Sequence, residues 1–123
     1  MEKRVPTSEK VATLIKVAKV YFGTDQKSDV IIWTGMATTT SGVATLYLTD
    51  DGTATGTALF TNVFSILSIA EYNTVDPKEV SLASVKALSP DKKTLTINLV
   101  RTTSPDTLFV PDETKIYVTV IGD

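Results

Sequence analysis

Three stretches of this chain alternate between apolar and polar residues with a period of two. In Val43 to Thr49, Ala44, Leu46 and Leu48 fall on one side and Val43, Thr45 and Tyr47 on the other. In Thr94 to Arg101, Leu95, Ile97 and Leu99 oppose Thr94, Thr96 and Asn98; in Lys115 to Val120, Ile116, Val118 and Val120 share a side. Successive side chains of a strand point to opposite faces of its sheet, so this pattern predicts strands with one dry face and one wet, Thr-coated face. Two other runs, Asp29 to Thr34 and Val63 to Tyr72, are largely or nearly continuously apolar. Their β-branched and aromatic content predicts strands buried on both faces. Glu79 to Leu88 reads as a strand that turns Val80 and Leu82 inward, with Val85 and Leu88 as further inward candidates.

The stretch Gly42 to Phe60 (GVATLYLTDDGTATGTALF) organises the rest: an alternating strand, the acidic turn Asp50-Asp51-Gly52, and a second run rich in small residues and Thr. Gly takes the positive φ of tight turns without steric cost and Asp tolerates it, so a hairpin turn is predicted here. Ser89 to Lys93 (SPDKK) predicts a second hairpin, joining the strand that ends at Leu88 to Thr94 to Arg101. Gly23 to Ser28 and Asn73 to Lys78 read as loops, and Gly35 to Ser41 as a Thr-rich connection or a ragged edge strand. The N-terminal part is ambiguous. Val11, Leu14, Ile15, Ala18 and Phe22 fit one face of a helix that Thr7 or Ser8 would cap, whereas Val17 to Phe22 suits a strand. A helix from about Ser8, giving way to extended chain near Val20, is the favoured expectation. The predicted fold is all-β: a β-sandwich of about seven antiparallel strands with a short N-terminal helical or extended appendage. The appendage occupies residues 1–23 and the sandwich residues 24–123.

Composition narrows the chemistry. The chain has 123 residues, no Cys, no His and a net charge of −2. Without Cys there is no disulfide or thiolate metal site, and without His the commonest general base and metal ligand are missing. The charge is uneven: residues 1–27 hold six cations and three anions, residues 28–123 six cations and eleven anions. A basic front on an acidic body suits docking onto an acidic neighbour, including another copy of the body, although a solvated Lys-decorated segment is the plainer account. No apolar run approaches the roughly 20 residues of a membrane span. MEKRVPTSEK is not followed by a signal-peptide core, so folding in a cytoplasm is expected.

Each candidate constellation has a bland competitor. Asp50, Asp51 and Gly52 lack the alternate ligands and distant Glu of an EF-hand-like calcium loop, which leaves a hairpin turn. Asp29, Asp50, Asp51, Glu71 and Asp76 are the carboxylates from which an acid–base pair would have to come, yet carboxylates at strand ends are usually solvated. Ser and Thr are plentiful, but no Ser-His-Asp set exists without His. GTATG lacks the Lys and helix of a phosphate loop, and Lys92, Lys93 and Arg101 form no basic stripe with interleaved aromatics. Trp33, Tyr47 and Tyr72 are candidates for a sugar-stacking platform; for Trp33, beside Ile31 and Ile32, core or inter-subunit packing is the better reading.

The run SGVATLYLTDDGTATGTALFTNVFSI, with the later EYNT and KTLTINLV, resembles a β-structured module of tailed-bacteriophage virion proteins: head fibres, tail-associated proteins or capsid decoration proteins. The similarity spans Met36 to Val120 and is most specific over Leu46 to Phe60. It implies a non-enzymatic structural component of the virion, made in the host cytoplasm, with no catalytic residue, metal or cofactor. The expected partners are the chain itself, as a homo-oligomer with a trimer favoured, and a capsid or tail protein, with no nucleic acid and no membrane. The apolar residues of the basic segment, Val11, Leu14, Ile15 and Phe22, together with Trp33, are the candidate interface. A carbohydrate- or receptor-binding module and a small phage-encoded inhibitor of a host protein are the alternatives.

Overall fold

A computed structural model describes residues 12–70, 81–101, 108–109 and 114–123. It is all-β. In chain order the strands are β1 (Ala12–Phe22), β2 (Asp25–Thr38), β3 (Val43–Tyr47), β4 (Val63–Ala70), β5 (Ser81–Leu88), β6 (Thr94–Arg101), β7 (Leu108–Phe109) and β8 (Lys115–Gly122). They form two antiparallel sheets. The first runs β1-β2-β8-β4 and the second β3-β6-β5, with the two-residue β7 also on β6. The last long strand lies between β2 and β4, and β6 lies between β3 and β5, so the C-terminal part of the chain completes both sheets.

The three alternating segments face the core as their pattern predicts. Ala44, Leu46 and Leu48, then Leu95, Ile97 and Leu99, then Ile116, Val118 and Val120 are all buried, and they meet Trp33 and Phe60 in one cluster. Each such side chain contributes about 1.5–3 kcal/mol through the apolar area it removes from water. The predicted hairpin across Ser89 to Lys93 is present. Ser89 N–H donates to Thr94 O at 2.9 Å and Lys92 N–H to Ser89 O at 2.8 Å, with Lys92 at φ 61°. A tight turn followed by a left-handed residue matches the twist of the two strands. Leu88 packs against the core; Val85 lies opposite the buried Ile97, on the inward side as expected, yet stays 43% exposed beside a register shift between Val85 and Ala87 on an edge strand. Val80 lies outside the described residues, as does the side chain of Leu82.

The N-terminal expectation is corrected. Ala12 to Phe22 is a strand, paired with β2 from Ala12↔Gly35 to Phe22↔Asp25. The helical spacing of Leu14, Ile15, Ala18 and Phe22 loses to the β-branched content and to the partner strand. The loop expected at Gly23 to Ser28 shrinks to Gly23-Thr24, with Gly23 at φ 66°, a two-residue connection with Gly first. Residues 12–22 therefore belong to the first sheet and are not an appendage to it, and Lys27 Nζ lies 4.9 Å from the Phe64 ring of β4. Gly35 to Thr38 continue β2. Ser41 and Gly42, both at positive φ between the bridged Thr40 and Val43, then turn the chain into the second sheet.

Gly35 sits where the indole of Trp33 folds back over the backbone: a Cβ there would meet the ring carbon Cη2 at 2.5 Å. Gly35→Ala is expected to destabilise the fold by about 1–3 kcal/mol, the usual cost of overpacking. Trp33 is the chain's single Trp, so a red shift of native emission and an earlier urea midpoint report it directly.

Candidate functional site

Strand register sorts the outward side chains of the four-stranded sheet into rows. Ile15, Ile32 and Ile121 lie side by side on β1, β2 and β8, with Ser65 on β4. The next row is Thr13, Thr34, Thr119 and Leu67, and the one after it Met36, Tyr117 and Ile69. No side chain in these rows is charged. Lys115 follows, opposite Thr38, at the end of the sheet. The face is open and apolar: Leu67 is 56% exposed, Ile69 55%, Ile15 52%, Tyr117 47% and Met36 43%. The short threonines form a furrow, and a shallow depression of about 540 Å³ lies over them against Met36, Tyr117 and Ile69.

The second sheet differs. Its outward positions include Thr45, Ser84, Thr96 and Asn98, which is the wet, Thr-coated surface that alternation predicts. Val43 and Tyr47 share that side, whereas the outer face of the other sheet sets exposed aliphatic side chains around a threonine row.

The sequence-predicted candidates scatter. Val11 lies outside the described residues. Trp33 is 3% exposed within the chain's own core and has no surface to offer a second subunit. Leu14 pairs with Trp33 on the inward side of the edge strand, and Phe22 sits at the tip of the β1–β2 hairpin. Of the described candidates, only Ile15 joins the apolar face. The sugar-stacking set does not assemble either: Trp33 is buried, Tyr47 is outward on the other sheet, and Tyr72 is not described. Sequence reasoning missed Met36, Leu67, Ile69 and Tyr117. The available signal was Val63 to Ala70, a strand apolar on both faces when only one meets a second sheet.

The acidic turn uses its carboxylates internally. Asp51 Oδ1 accepts from Thr53 N–H at 2.9 Å and from the Thr53 hydroxyl at 2.8 Å, while Asp50 Oδ1 accepts from Thr57 N–H at 2.9 Å. Gly56 lies against both, and a Cβ there would run into the two carboxylates. The loop closes on the single bridge Thr49↔Ala58, so it is a turn without a following ladder. Among the described residues no group of three or more His, Cys, Asp or Glu side chains is placed to hold a metal. Asp29 stands apart in β2, and Glu71 and Asp76 are not described. Comparison with family models, curated proteins and solved structures finds no match in any of the three.

Hydrogen bonds from Thr53 hold the Asp51 carboxyl below the ordinary range, and those from Ser89 and Lys93 do the same for Asp91. A depressed native pKa contributes stability above the unfolded value, lost as pH falls through the native one. An NMR titration should find both midpoints below the ordinary value of about 3.9, with Thr53 amide exchange rising as Asp51 protonates. Ordinary midpoints would mean that these turns are open in solution.

Proposed function

We propose that this chain is a structural, non-catalytic component of a tailed-bacteriophage virion, of the capsid-decorating or fibre type. It acts by burying surface against other copies and against a larger particle, and the outer face of the four-stranded sheet is its docking surface. One observation carries the reading: three rows of side chains without a charge on the outer face of the four-stranded sheet, where Ile15, Met36, Leu67, Ile69 and Tyr117 stand exposed around a row of threonines. Exposed apolar patches larger than a few hundred Å² are unusual on monomers and mark contact surfaces. The Thr-rich outer face of the other sheet suits the opposite role, toward solvent. The resemblance of Leu46 to Phe60 to virion modules supports the location.

A second reading, a carbohydrate- or receptor-binding module, is favoured by Tyr117, half exposed beside the hydroxyl-lined furrow of Thr13, Thr34 and Thr119. Glycan-array signal lost on Tyr117→Ala would select it.

The virion reading is tested by fractionating lysates of cells producing the phage on a density gradient. The chain should band with particles, and the pair Leu67→Lys and Ile69→Lys should lower its particle-bound fraction by about tenfold or more, since a charge buried without a partner strongly opposes docking. A chain found only in the soluble fractions, with or without these substitutions, would contradict the assignment.

A further inference from the structure

We propose that the outer face of the four-stranded sheet packs against the same face of a second copy. The two-fold axis lies in the interface, across the strands, between the threonine row and the Met36 row. This rests on the reading of that face as a docking surface and names its occupant.

The relief of the face selects this axis. An axis over the threonine row would set Thr119 on Thr119 and leave a void, because close packing tolerates few gaps. An axis over the next row would stack Tyr117 on Tyr117 and hold the sheets apart. Halfway between, each copy's Met36 and Tyr117 enter the other's furrow over Thr34 and Thr119, and the fit is reciprocal, as a closed two-fold contact requires. Charge permits it as well. Within the rows nothing is charged, and this axis leaves the two Lys115 residues roughly 20 Å apart along the strands, twice the Debye length at moderate salt. Each Lys115 lies at the rim, where its stem covers Ile121 and its ammonium reaches water. The thirteen described positions of the four overlapping rows present a footprint of roughly 400 Å². Two copies bury about 800 Å², the scale of a weak, reversible pairing.

A pairing of this kind closes at two copies. It replaces the threefold assembly that the resemblance implies.

The chain contains no Cys, so introduced thiols report alone. The axis sets Thr38 of one copy over Ile32 of the other, while the two Thr38 residues, like the two Ile32 residues, stand apart. A mixture of Thr38→Cys and Ile32→Cys chains, treated with a short bis-maleimide, should cross-link at least about tenfold faster than either alone, because pairing raises the effective concentration only for the mixed couple. Light scattering should approach twice the 13.3 kDa of one chain as the concentration rises through about several hundred micromolar. Thr34→Glu with Thr119→Glu should raise the dissociation constant at least about a hundredfold while Trp33 emission stays native, since charges sit in the desolvated centre.

Three results would overturn the pairing: a monomer at all concentrations, a mass of three copies, or equal cross-linking in the mixed and single samples. Particle banding is scored in parallel on the Thr38→Cys chain. Loss of the pairing with retained banding assigns the face to the particle, and binding to neutral lipid vesicles in place of both assigns it to a membrane surface. Either result overturns the proposal.

Discussion

Every strand presents side chains to both sides of its sheet, but a core between two sheets covers only one side of each. The molecule is organised by that constraint. Ile116, Val118 and Val120 on β8 and Leu95, Ile97 and Leu99 on β6 are buried because these central strands face one another across the layer. Their neighbours supply the remaining depth through Trp33, Leu46 and Leu48. Turns follow from the same layout. Ser41-Gly42 passes the chain between sheets, and Ser89 to Lys93 keeps β5 and β6 in register. What the core leaves over is two outer faces, and among the described residues the exposed large aliphatics gather on that of the first sheet.

The core was legible because strict alternation names both the strand and its inward side. The second sheet's outer face was legible for the same reason, since Thr45, Thr96 and Asn98 sit between core residues. The N-terminal strand was not. Leu14, Ile15, Ala18 and Phe22 satisfy a helical spacing, and the deciding factor, a ladder with β2, is tertiary. The Gly23-Thr24 pair would have indicated a two-residue hairpin had it been weighed as a turn and not as the start of a loop. Strand order was equally hidden: nothing local to Lys115 to Gly122 places it between β2 and β4.

The candidate site was illegible for a different reason. An apolar run such as Val63 to Ala70 looks the same whether its second face meets another sheet or meets solvent. Reading it as buried on both faces was reasonable for the residues and failed for Leu67 and Ile69 because nothing among the described residues covers the outer face of the first sheet. Trp33 illustrates the converse. Its size made it a candidate contact, yet its inward register and the absence of a Cβ at Gly35 let the ring lie inside the chain's own core. The surface that matters is therefore made of ordinary aliphatic residues in unusual company, without a single charge to interrupt them.

The account depends on that apolar face being covered when the protein works. Methyl NMR with a soluble paramagnetic agent reads this most directly at Ile15, Leu67 and Ile69, with the buried Ile97 as the internal reference. The three methyls should be protected at high concentration, approaching Ile97, and should become progressively exposed on dilution while Ile97 stays protected. Three methyls fully exposed at every concentration, and unchanged when particles are added, would contradict it.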